Sequence, residues 1–175
     1  MNKIHFSGLL RKFDRDFYEK IERELMPQLS KKALDTALSS NIESLGGKVF
    51  YYMFKIVSQN FDEDCVKAFE EIIAIKIKEL ETEKPIGTNG DKKSFIKQFT
   101  IEQYDVATKA GLDPNRLTKI LTNNVSDFYA FEVIAIATTN DMKPKTAFEQ
   151  LYITPLTDDD ILKKPRTSKK DKPAK

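Results

Sequence analysis

An all-α fold is predicted by three features of the sequence. Apolar residues recur every three or four positions along much of the 175-residue chain, the spacing that lines one face of a helix. Ser, Asp, Asn, Gly and Pro stand where these runs begin and end, as helix caps and stops do. The one nearly unbroken apolar stretch, in residues 48–59, has no evident partner strand.

Taken in order, Ser7 caps a first helix in which Leu9, Phe13, Phe17, Ile21 and Leu25 recur every four residues until Met26 and Pro27 end it. Ser30 opens a second helix that carries Ala33, Leu34, Ala37, Leu38, Ile42 and Leu45 toward a core, with Gly46 and Gly47 as the stop. Residues 48–59 are read as a buried helix, and the run from Phe50 to Phe54 is also the candidate partner-facing patch. Asp62 caps a long helix with Val66, Phe69, Ile72, Ile73, Ile77 and Leu80 inward, reaching about Thr82. Residues 83–91, EKPIGTNGD, combine Pro, Gly and Asn and break the helical pattern. GTNGDKKS lacks the spacing of a phosphate-binding loop, and no internal repeat is visible.

Residues 101–152 carry the pattern of two short crossing helices. Thr100 and Gln103 have the spacing of a reciprocal capping box. The first helix runs through Tyr104, Val106 and Ala107 to Ala110, and Gly111 supplies the left-handed backbone a tight corner needs. Asp113 caps the second helix, Pro114 takes its first position, and Asn123 stops it. With Leu117, Ile120 and Leu121 inward, this helix-turn-helix leaves Asn115, Arg116, Thr118, Lys119 and Thr122 facing outward. Asparagine pairs with adenine edges, and Arg or Lys with guanine edges or phosphates. A helix N-terminus adds favourable contact with a phosphate. The expected partner is double-stranded DNA.

These residues resemble the phage-repressor-like helix-turn-helix regulators, the Cro and lambda-repressor type, over about residues 93–153. Ala107 with Gly111 matches the alanine and glycine of that family's first motif helix. The resemblance implies that Gln103 touches the DNA backbone and that the recognition helix is residues 114–122. SDFYAFEVIAIA, with Ser126 as cap and Ile134 and Ala137 packed beneath, is similar to the family's next helix, and MKPKTAFEQLY to its last. Asn140 replaces a usual core leucine, Asp141 a usual glycine, and only residues 92–99 remain for the opening helix.

The organisation expected is therefore an N-terminal helical unit (1–84), a linker (85–91), a helix-turn-helix domain (92–153), and an acidic patch with a disordered basic tail (154–175). That tail holds seven basic residues and one acidic from position 163 onward, whereas residues 91–162 carry 8 basic and 11 acidic groups. The body is thus not the strongly basic kind that binds phosphate indiscriminately. No apolar run is long enough to span a bilayer, and the N-terminus turns charged before a signal core could form, so a cytoplasmic location is expected. One cysteine, Cys65, and one histidine, His5, provide neither a usual metal set nor a nucleophile–base pair. The triplet Asp158, Asp159, Asp160 lacks a ligand-spaced loop. Neither an enzyme nor a cofactor or metal is expected. The function expected is that of a sequence-specific transcriptional regulator, acting as a homodimer on a two-fold site, with a further protein partner for the N-terminal half. The alternative is a protein-binding adaptor or antitoxin-like accessory protein built on the same scaffold.

Overall fold

The computed structural model describes residues 4–70, 90–99, 103–123 and 127–162, with no side-chain description for 103, 104 and 123. Among the described residues the fold is all-helical: eleven α-helices, one short 3-10 turn, and no strand. The helices are α1 (Phe6–Phe13), α2 (Phe17–Leu25), α3 (Lys31–Ser39), α4 (Gly47–Val57), α5 (Phe61–Phe69), α6 (Lys92–Lys97), α7 (Gln103–Lys109), α8 (Pro114–Asn123), α9 (Ala130–Thr139), α10 (Pro144–Leu151) and α11 (Asp158–Leu162). None is long and apolar enough to cross a membrane.

The first expected helix is two. Apolar residues spaced by four advance about 40° per step around a helix of 3.6 residues per turn, so the line from Leu9 to Leu25 would drift about 160° off a single face. The chain resets the phase at Asp14, which is extended and whose carboxylate accepts the Asp16 amide at 2.9 Å and pairs with Lys20. Both segments then bury their apolar sides: Phe6, Leu9 and Leu10 in α1, and Phe17, Ile21 and Leu25 in α2. Ser7 lies inside α1, and His5 takes the N-cap position.

Ser30 does cap α3, accepting the Ala33 amide at 3.3 Å. That helix ends earlier than expected, because Ser40 and Asn41 are extended and Asn41 bridges to His5. Gly46 and Gly47 do not stop a helix; they begin α4. A methyl at Gly47 would overlap the Tyr152 hydroxyl, with the ring carbon Cζ only 3.1 Å away. Asp62 does not cap its own helix either. Its Oδ1 accepts the Lys145 amide at 2.8 Å and so caps α10, while Asn60 precedes α5. Positions 72, 73, 77 and 80 of that expected long helix, residues 85–89 of the linker and the tail from 163 lie outside the described residues.

The run from Phe50 to Phe54 is core, which corrects its reading as a partner-facing patch. Phe50, Met53 and Phe54 have no exposed surface. Phe50 stacks on Phe54 at 4.6 Å between ring centroids and lies within 5.7 Å of both Phe69 and Phe148. Phe148 belongs to α10, so aromatic packing carries the core across the sequence boundary at 85–91. Helix α9 sits in the middle of that core, with Val133, Ile134, Ala135, Ile136 and Ala137 fully buried. A helix apolar on every side is stable only when surrounded.

Two connections in the C-terminal half are built alike. Ala107, Gly111, Leu112 and Pro114 between α7 and α8 correspond, thirty residues on, to Ala137, Asp141, Met142 and Pro144 between α9 and α10. Gly111 has φ +69° and Asp141 φ +57°, both left-handed. The Leu112 amide donates to Ala107 at 2.8 Å and the Met142 amide to Ala137 at 2.9 Å. Asp141 thus occupies the same left-handed region as Gly111, which Asp tolerates better than most side chains.

Candidate functional site

The α7–α8 pair has the corner the sequence predicts. Left-handed Gly111 turns the chain, the Asp113 carboxylate accepts the Asn115 amide at 2.9 Å, and Pro114 is the first helical residue. Val106 and Ala107 of α7 and Leu117, Ile120 and Leu121 of α8 are buried. Packing of these five fixes which side of α8 is outermost.

Asn115, Thr118, Lys119 and Thr122 are all exposed on that outer side. The threonine hydroxyls donate back along the helix, Thr118 to the Pro114 carbonyl at 3.0 Å and Thr122 to the Thr118 carbonyl at 2.8 Å, which leaves their oxygens able to accept. Gln103 is the first residue of α7, with its side chain outside the described residues. Thr100, its expected capping partner, lies outside the described residues.

Arg116 departs from the expected outward set. Its Nη2 donates to Glu132 Oε2 at 3.0 Å, its Nε pairs with Glu132 Oε1, and Nη2 also reaches the Asp127 carbonyl at 3.3 Å. The guanidinium carbon lies over the Tyr129 ring, 3.9 Å from its centroid. Glu132 is 4% exposed at its side chain and Arg116 27%. Partial burial works against the guanidinium's charge, but the hydrogen-bonded carboxylate outweighs it and holds the proton more firmly than usual. Deleting one partner of such a pair strands a desolvated charge, at a cost on the order of 3 kcal/mol.

Glu132 also accepts the Tyr129 amide at 2.7 Å, at the start of α9. Next to it, Asp127 Oδ1 receives the Phe128 amide at 2.8 Å and the Tyr152 hydroxyl at 3.1 Å, with Lys92 Nζ at 3.5 Å. Burial, followed by the Asp127 charge, pushes the Tyr152 hydroxyl well up from its ordinary value, so it remains a donor. The polar cluster behind α8 was missed by sequence reasoning. Tyr129 and Glu132 have capping-box spacing, but the cap was expected at Ser126, which lies outside the described residues.

Other polar residues singled out in the sequence hold the fold together. His5 Nδ1 lies 2.8 Å from the Ser39 carbonyl, tying α1 to α3. Cys65 is fully buried, and burial pushes its thiol up. Asp158 Oδ1 accepts the Ser30 amide at 2.8 Å, and Asp160 pairs with Lys48 at 2.9 Å. Two of the three aspartates thus fasten α11 to the N-terminal half. Comparison with protein-family models, with curated proteins and with solved structures finds no match to this chain.

Proposed function

We propose that the protein binds duplex DNA sequence-selectively through α8 and regulates transcription, as a phage-repressor-like helix-turn-helix protein. The observation that carries this reading is the exposed set Asn115, Thr118, Lys119 and Thr122 on the outer side of a helix whose inner side, Leu117, Ile120 and Leu121, is anchored by burial. Amide, hydroxyl and ammonium groups are the chemistry a major groove recognises. Asn115 lies in the first turn of α8, the end at which the helix dipole favours a negative charge such as a phosphate. Arg116 leaves the DNA-reading set because its Nε and Nη2 are engaged by Glu132 and the Asp127 carbonyl. One such helix spans only a few base pairs, so a homodimer on a two-fold site goes with the proposal.

The test is selection of bound fragments from a random duplex pool by the full chain, followed by Lys119→Glu. The side chain of Lys119 is exposed, so this reversal leaves the melting temperature unchanged. Binding to the selected fragments is expected to fall more than a hundredfold. Undiminished binding by a folded Lys119→Glu protein removes α8 as the DNA-facing element, and a wild-type chain that enriches no sequence favours a protein-binding role for the same scaffold.

A further inference from the structure

We propose that Arg116 is the positioning residue of α8: it sets the angle at which Asn115 and Lys119 are presented, reads no base itself, and does so with the help of the N-terminal half. This deepens the DNA-binding reading and rests on it.

A guanidinium offers a planar fork of N–H groups. In Arg116 two arms of that fork are on Glu132, one of them also reaches the Asp127 carbonyl, and the guanidinium carbon lies over the Tyr129 ring. A DNA phosphate or guanine edge that took the Nε and Nη2 pair would have to break this arrangement. Arg116 is the third residue of α8, at the end that a recognition helix turns toward bases. A planar, two-point contact there constrains rotation as well as distance, which a point charge would not do.

The anchor is itself held from behind. Residues 127–130 lie against the N-terminal half: the Gly47 amide donates to the Phe128 carbonyl at 2.7 Å, the Ala130 amide to the Leu45 carbonyl at 2.9 Å, and Gly46 pairs with Tyr129 as an isolated bridge. Tyr152 enters the space left by the missing side chain of Gly47 and grips Asp127. The orientation of α8 is therefore tied to the beginning of α4, through these backbone bonds and the contacts of Arg116 with Glu132, the Asp127 carbonyl and Tyr129.

Arg116→Gln, Glu132→Gln and the double variant, made in the full chain, separate positioning from direct contact. Each is measured against the duplex that wild type selects and against a scrambled duplex, over a range of salt. Positioning predicts that both single variants lose about tenfold or more of the preference for the selected duplex. The double variant loses no more than the worse single one, and the slope of log affinity against log salt stays the same. Direct phosphate contact predicts the opposite pattern: Arg116→Gln alone loses affinity, its slope falls by about 0.9, and Glu132→Gln binds at least as well as wild type. That pattern overturns the proposal. Amide NMR spectra of the same variants, recorded where they are folded, guard against misfolding and stand apart from DNA. Displaced amides in residues 115–122 of Glu132→Gln support the positioning role even if wild type selects no sequence, an outcome that sinks only the DNA reading. Unmoved α8 amides sink the role itself.

Discussion

Gly111 turns the α7–α8 corner for a reason that can be isolated. Nothing lies within 4 Å of where its Cβ would be, so the site has room for a side chain, yet φ is +69°. The cost of substitution is then backbone strain alone, about 1–2 kcal/mol for an ordinary L-residue. Gly111→Val is expected to lower stability in urea unfolding by about that much, while Gly111→Asn costs clearly less because Asn enters the left-handed region more readily. Equal losses for the two would place the cost in crowding. Asp141 makes the same point from the other side, since a residue with a side chain already occupies the matching position at φ +57°. Gly47 is the contrast: its requirement is space for Tyr152.

At the scale of elements, local signals were legible and distant partners were not. Ser30, Gly111, Asp113 and Pro114 act on residues within four positions of themselves, and each does what its chemistry predicts. Asp62 has the composition of a cap and serves as one, but for α10, 83 residues away. Nothing near Asp62 announces that partner. Arg116 looked outward by helical position alone, because Glu132 and Tyr129, which turn it inward, belong to α9. The acidic triplet of α11 likewise found its meaning in α3 and α4. Hydrogen bonds from Ser30 hold the Asp158 carboxyl below the usual carboxylate value. For Asp160 burial raises the carboxyl, but Lys48 and Thr157 outweigh it and the net direction is also downward. A carboxyl lowered in the folded state contributes its stability above the unfolded value, near pH 3.9, and loses it as pH falls through the folded one. The wild-type melting temperature should therefore drop on acidification below about pH 4. Asp158→Asn with Asp160→Asn is expected to melt lower near neutrality and to show a shallower acid limb. Melting curves for the two proteins that run parallel from pH 7 to pH 2 would assign the acid limb to other groups.

At the scale of the molecule, a Pro- and Gly-containing segment divides the sequence but not the core. Burial of α9 depends on both sides: Leu45 and Gly47 bond to the residues that lead into it, and Phe50 packs on Phe148, which follows it. Fully burying a side chain the size of Val, Ile or Phe is worth about 1.5–3 kcal/mol, and α9 alone contributes Val133, Ile134 and Ile136 at no exposure. Removing residues 1–70 would return much of that surface to water, against a total stability of only about 5–15 kcal/mol for a typical domain. A fragment of residues 90–162 is thus expected to lack a cooperative melt and to bind a hydrophobic dye, even though it contains the whole helix-turn-helix. The full chain should unfold in one transition, with tyrosines in both halves reporting the same midpoint. A fragment that melts cooperatively and gives a dispersed amide spectrum would show that α9 finds sufficient cover within its own half. The N-terminal helices would then be an addition to the motif and not the wall it stands against.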